Sequence, residues 1–343
     1  MRKIALLALF ASLCFCFEIT DMAGNKIKLQ EPPSRVYSPK PYGSYMLYVM
    51  DRKLLVSLVF APSEEARDFL DPIMYELPAL GLMSENGPIT DAEALLAQKP
   101  DLILMWDASA NAKRGAIDDA IVKANIPVAY VVAKNLEDYP KVFRFLGKAL
   151  DRKERGEKLA ARFEKTIAGV KAAVAKAKTK PKVYYAGGFD GLTSECHDSN
   201  HAEPLKILGD LNVLRCNAST KGGHGHESVT IEQIRRLNPD VIIVQEKMFA
   251  DDVFNDPQWE TIAAVKNKKV YLIPSLPFNW FNHPPSFMRV MGLQWLANVL
   301  YPKEYPIDIA AETKAFYAEY LGVELNDELL ARVLTPQSLR SAK

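Results

Sequence analysis

From residue 18 onward, short apolar runs alternate with stretches of helical periodicity. The runs predict strands over 36–38, 54–59, 101–106, 128–132, 183–186, 241–245 and 270–274, with helices between them. Strands that alternate with helices make α/β units with mainly parallel sheets. Residues 151–178 break this rhythm. They lack proline, and Leu159, Phe163, Ile167, Val170 and Val174 recur at spacings of three and four. That spacing predicts one long amphipathic helix of about 40 Å, at 1.5 Å per residue. Its position at mid-chain predicts a stiff connector between two lobes.

An internal echo supports two lobes. TDAEALLAQKPDLILMW (90–106) and TIEQIRRLNPDVIIVQ (230–245) share one plan. Thr90 with Glu93, and Thr230 with Gln233, have capping-box spacing, and Pro-Asp ends each helix before an apolar strand.

The N-terminus adds a destination. In residues 1–17, MRKIALLALFASLCFCF, two basic residues precede an apolar run. The run has the length of a secretory h-region and falls short of the about 20 residues of a membrane span. Cleavage is expected near Cys16–Phe17 or Phe17–Glu18. A lipid anchor on Cys14 is a weaker expectation, since Leu13 fits that pattern badly. The expected organisation is therefore a signal peptide (1–17), an N-terminal α/β lobe (18–150), a connecting helix (151–178), and a C-terminal α/β lobe with C-terminal helices (179–343).

Composition narrows the function. With 43 basic and 42 acidic residues the net charge is +1, which argues against a nucleic-acid binder. No H-E-x-x-H helix, G-x-S-x-G elbow or phosphate-binding loop occurs, which argues against an exported metallohydrolase and against an enzyme generally.

The opening EITDMAGNKIKL and RVYSPKP, the paired helix-Pro-Asp-strand units and the mid-chain helix occur in a characteristic order. DPQWETIAAVKNKKVYLIP (256–274) and GLQWLANVLYP (292–302) complete it. In this the chain resembles the periplasmic substrate-binding proteins of ABC importers for vitamin B12, siderophores, haem and metal species. The resemblance implies two α/β lobes joined by a rigid helix (the class III fold), a cleft between them and little hinge motion. It also implies a monomeric carrier that docks on an inner-membrane permease, with Glu93 and Glu232 at the positions of the docking glutamates.

All five histidines fall between 197 and 283. They lie in three segments read as loops: ECHDSNHAEPLKILG (195–209), KGGHGHES (221–228) and FNWFNHPPS (278–286). His224 and His226, two apart on an extended segment, share a side. With His283, His201 and His197 they form the candidate metal-ligand set, because imidazole suits nickel, copper, zinc and iron. Glu227 adds a carboxylate. Cys196 and Cys216 are either metal ligands or a disulfide, and an exported protein favours pairing. Tyr42, Tyr45, Trp106 and Asp107 from the first lobe, and Trp280 and Arg289 from the second, are the other candidate ligand contacts. The expected cargo is a transition metal, nickel first, bare or chelated. An iron–siderophore, haem or corrinoid, and an oxyanion such as molybdate, stand as alternatives. No catalytic cofactor is expected.

Overall fold

The computed structural model describes residues 17–81, 83–84, 87–88, 92–106, 123–218, 225–282, 284–335 and 338. Strands β1 (Phe17–Thr20) and β2 (Lys26–Leu29) form an antiparallel hairpin at the edge of the first lobe. That lobe's sheet holds β3 (Val36–Tyr37), β6 (Leu102–Trp106) and β7 (Val128–Val131), parallel, in the order β3-β6-β7. A two-residue hairpin, β4 (Met83–Ser84) and β5 (Gly87–Pro88), lies between them in the chain. Helices α1 (Pro41–Asp51), α2 (Ile73–Glu76) and α3 (Ala92–Ala97) belong to this lobe.

The run 54–59 does not become a strand. Val56 N–H donates to Val36 and Leu58 N–H donates to Pro78, so the segment passes from one neighbour to another. It is left with the isolated bridges Val36–Leu55 and Leu58–Ala79.

Helix α4 (Tyr139–Ala149) turns into the connector, α5 (Lys153–Lys176). The connector buries Leu159, Ala160, Phe163, Ile167, Val170 and Ala173, one stripe of an amphipathic helix. The two helices cross at glycines. A Cβ on Gly156 would lie 2.4 Å from the Phe143 carbonyl oxygen and 2.8 Å from Gly147 Cα. Arg144 binds Glu157 and Glu164 across the outside of the pair, at 2.8 and 2.6 Å.

The second lobe repeats the design. β8 (Val183–Ala186), β11 (Val241–Val244) and β12 (Val270–Leu272) run parallel in the order β12-β11-β8. β8 and β11 are buried throughout, as their unbroken apolar sequences require. Helices α6 (Glu203–Ile207), α7 (Ile231–Leu237), α8 (Lys247–Asp252) and α9 (Ala263–Lys266) cover this sheet. The Thr230–Gln233 capping box forms in full; Thr90 lies outside the described residues.

The echo between lobes has a physical basis beyond the caps. Asp101 accepts backbone N–H groups of Ser34 and Arg35, at 2.7 and 3.0 Å. Asp240 accepts that of Lys182, at 2.8 Å. Arg35 and Lys182 in turn donate to carbonyls at the ends of α3 and α7. Each Pro-Asp thus ends a helix and clamps the residue that enters the first strand of the lobe's parallel sheet.

Helices α10 (Arg289–Leu300), α11 (Ile309–Phe316) and α12 (Asp327–Val333) close the chain. They return to the first lobe: Tyr48 donates to the Leu321 carbonyl at 3.2 Å, and Arg332 pairs with Asp68. One apolar cluster therefore runs from Val36 and Leu104 through Phe163 and Val170 to Ile243, Trp295 and Tyr320. A second, around Tyr184, Ile234, Val244 and Trp259, lies within the second lobe alone.

Candidate functional site

The second lobe's wall of the site is a ribbon of two three-residue strands. β9 (Thr193–Glu195) pairs antiparallel with β10 (His226–Ser228), and His226 stands opposite Glu195. Cys196 N–H donates to Gly225 C=O at 2.7 Å, which extends the ribbon by one bond. Gly225 has φ +66°, and a Cβ there would lie 2.4 Å from Ser199 Cβ. Only a glycine lets the chain turn this close to the 195–201 segment.

Glu195 is the centre of this wall. It is fully buried. Its Oε1 lies 3.2 Å from His201 Nδ1 and 3.1 Å from His226 Nδ1. Ser199 Oγ donates to its Oε2 at 3.1 Å and also accepts His201 N–H at 3.0 Å. Burial acts to raise the carboxyl's pKa. The contacts with His201 and His226 outweigh it, and the group lies below its ordinary value. An anionic Glu195 accepts from both Nδ1 atoms, so any contact of either ring with a ligand is made through Nε2. The rings are 24% (His201) and 57% (His226) exposed, so a ligand can reach them. A buried carboxylate that orients histidines in this way is a common support of metal sites.

The surrounding segment is tied down. Cys196 and Cys216 form a disulfide, with Cα atoms 5.1 Å apart. His197 N–H donates to Leu214 C=O, while its Nδ1 is buried with no hydrogen-bond partner among the described residues. Asn212 Nδ2 donates to the Glu195 carbonyl at 2.8 Å.

The first lobe presents a different wall. Tyr42, at the start of α1, meets Trp106, at the end of β6, edge to face at 5.3 Å. The Trp106 indole lies against Gly43, where a Cβ would come 2.4 Å from Nε1 and 1.9 Å from Ser38 Oγ. Trp106 Nε1 and Ser38 Oγ are buried donors without a hydrogen-bond partner among the described residues. Tyr45 stacks on Phe278 at 3.7 Å, which joins the lobes, and burial pushes its hydroxyl up to about 12. A cavity of about 270 Å³ opens here, lined by Tyr45, Gln245, Glu246, Phe278 and Asn279. Tyr185, at the end of β8, donates to Gln245 beside it.

Between the walls lies Arg289, nearly buried. Its Nη2 donates to Asn200 C=O at 2.6 Å and pairs with Glu203 at 3.1 Å. Tyr139 lies close enough to Arg289, Tyr42 and Glu203 for their charges to act on its hydroxyl; burial is the larger influence, and it pushes that group up to about 12.

The expected residues thus separate into groups. His201 and His226 come together, on a carboxylate that the sequence reading did not single out. The segment 221–228, read as a loop, supplies β10, and the one read as a loop over 195–209 begins at the last residue of β9. Three polar residues each, joined across a long excursion, carry no periodic signal. Glu227 follows His226 on a strand, so its side chain leaves on the other face. Trp280 is a correction: expected at the cleft, it is fully buried, and its indole N–H donates to Tyr317 Oη at 3.4 Å. Arg289 already holds a carboxylate. His224, His283 and Asp107 lie outside the described residues. Among the described residues no three histidine, cysteine or carboxylate side chains are grouped to hold a metal ion. Glu93 and Glu232 are both exposed, in the first turns of α3 and α7.

Comparison with known proteins gives this arrangement its context. Residues 85–277 match the family model described as periplasmic binding protein. An ABC transporter solute binding protein from Sulfurospirillum deleyianum is 37% identical, with a TM-score of 0.83 over 92% of this chain and 98% of that one. The molybdate-binding protein MolA of Haemophilus influenzae is 24% identical over 74% of this chain and 77% of its own length. The structure of MolA bound to molybdate superposes with a TM-score of 0.70 over 90% of this chain and 99% of that one, at 20% identity. With two α/β lobes on one connecting helix and a cleft between them, the chain belongs to the periplasmic binding protein family, as a class III substrate-binding protein of an ABC importer.

Proposed function

We propose that the cargo is a small chelated transition-metal ion, gripped through the Nε2 atoms of His201 and His226 and passed to a permease that docks at Glu93 and Glu232. The observation that carries this reading is the shared acceptor: one buried carboxylate takes both Nδ1 atoms, so both imidazoles are oriented by the same group. Two imidazoles fill two coordination positions and leave the rest to a chelator. A bare ion held only by protein would need a third ligand, and none joins them among the described residues. Imidazole nitrogen suits nickel, copper, zinc and iron.

A second reading is an oxyanion of the molybdate class. The unpartnered N–H of Trp106 and hydroxyl of Ser38 favour it, since both can donate to oxygen. MolA, a relative over most of the chain, carries molybdate by name.

Calorimetric titration of the mature protein with nickel chloride, nickel–histidine, nickel–citrate and sodium molybdate tests these readings. Tight binding of a nickel chelate, lost in His201→Ala and His226→Ala, is the expected result. Binding of molybdate alone would replace the first reading with the second. Nickel chloride binding as tightly as its chelates would overturn the chelator's role.

A further inference from the structure

The contact between Arg289 and Glu203 has no assigned role, and its connections lead to both lobes. Glu203 opens α6, two residues after His201. Its Oε1 accepts the backbone N–H of Leu136 at 2.7 Å. Leu136 begins the turn that enters α4, and α4 leads directly into the connector. Arg289 opens α10, and its Nη2 also holds the carbonyl of Asn200, the residue before His201. One buried pair therefore touches the backbone before His201, the helix after it, and the segment that enters the interlobe helix pair. The pair is also incomplete. Arg289 Nε is buried without a hydrogen-bond partner among the described residues, and Glu203 Oε2 meets the guanidinium through Nη2 alone, at 3.1 Å. A guanidinium and a carboxylate normally meet through two parallel bonds. Here one nitrogen serves two acceptors, so a second, fork-like arrangement is open to them.

We propose that Arg289 and Glu203 are positioning residues that couple the His201 turn to the junction between the lobes, so that cargo at His201 and the Glu203–Leu136 hydrogen bond strengthen one another. The coupling rests on His201 being a cargo contact. It gives the binding site a mechanical link to the connector although the lobes share a continuous core. Thermodynamic coupling is reciprocal: if cargo tightens the Leu136 bond, loss of that bond weakens cargo by the same factor.

The test has one arm without cargo and one with it, on the full mature chain. In the cargo-free arm, the imidazole resonances of His201 are compared by NMR in wild type, Glu203→Gln and Arg289→Lys. They are expected to shift in both variants, while the indole N–H of Trp259, in the second lobe's separate core, stays in place and certifies the fold. In the second arm, hydrogen exchange of the Leu136 amide is followed with and without saturating nickel–histidine. Exchange is expected to slow about 5-fold or more on binding, the range of ordinary coupling energies. Each variant should lose that response and bind the probe weaker by a similar factor. Unmoved His201 resonances in two folded variants would overturn the proposal. So would Leu136 exchange that is the same with and without bound probe. A His201→Ala protein that binds nickel–histidine like wild type would overturn the reading of the site, a separate outcome.

Discussion

The two lobes use the same helix–Pro–Asp–strand unit, yet they offer the cleft opposite kinds of surface. The second lobe's wall is organised around one satisfied carboxylate: Glu195 is buried, holds two histidines and a serine, and is braced by a disulfide, with His197 Nδ1 beside it left without a partner among the described residues. The first lobe's wall is aromatic and unsaturated, with the Trp106 indole N–H and the Ser38 hydroxyl buried against Gly43 and unpaired among the described residues. A buried polar group that has all its partners makes a rigid site, and removing one partner strands the others. A buried donor with no partner already carries its desolvation cost, and deleting it is cheap. The same repeated scaffold thus holds a pre-built claw on one side and a compliant face on the other.

The sharpest way to break this comparison is Glu195→Ala. It strands two imidazoles and a hydroxyl, and a loss of roughly 3 kcal/mol is expected, together with a 10–100-fold loss of cargo affinity. Denaturant unfolding and calorimetry measure both. The carboxylate's contribution has a sign in pH. Its folded pKa is depressed, so the contribution is present above the unfolded value near 4.5 and fades as pH falls through the folded one. Wild type and variant should therefore converge in stability toward strong acid.

Reducing the Cys196–Cys216 bridge should act on the second wall alone. Its separation of 20 residues is worth about 3 kcal/mol in the chain-entropy model. Thermal unfolding with and without reductant checks the size. Unchanged fluorescence of Trp106 before unfolding would locate the effect.

Each wall contains one glycine that packing requires. Gly225→Ala meets both a positive φ and Ser199 Cβ, and a cost of about 2–3 kcal/mol is expected. Gly43→Ala meets a hydroxyl and an indole that can move, and about 1–2 kcal/mol is expected, with a shift in Trp106 emission. Equal costs would show the two walls to be equally stiff. The smallest effect should be that of Ser38→Ala, within about 0.5 kcal/mol of wild type, because the lost hydroxyl bonds to no described residue. A destabilisation of 2 kcal/mol there would show that the first wall is as saturated as the second.

Much of the fold was legible in the chain. The connector observed at Lys153–Lys176 falls inside the predicted 151–178, and β8 covers the predicted 183–186. Both are long or unbroken apolar patterns whose period decides the element. The run 54–59 has the same apolar look, but its partners lie at different places in the chain: Val56 bonds to Val36, whereas Leu58 and Val59 bond to the 78–81 segment, so neither pairing runs its length. The site was legible only in outline. Clustered histidines marked the second lobe, and His201 and His226 do meet. Glu195 was invisible because a fully buried carboxylate looks in sequence like any surface glutamate. Trp280 erred the other way: an amphipathic aromatic in a loop segment suits a ligand, but α10 approaches it so closely that a Cβ on Gly292 would come 2.0 Å from its carbonyl oxygen.

By itself the sequence determined the repeated units, the Pro-Asp boundaries, the stiff helix between them and the lobe that carries the imidazoles. These follow from local periodicity and capping, which act over a few residues. The tertiary structure alone decided which histidines share a carboxylate, which aromatic is core and which is rim, and how Arg289 is tied to both lobes. Those depend on contacts between residues as far apart as Leu136 and Glu203, or Glu195 and His226, whose energies come from burial and mutual satisfaction that no local pattern records.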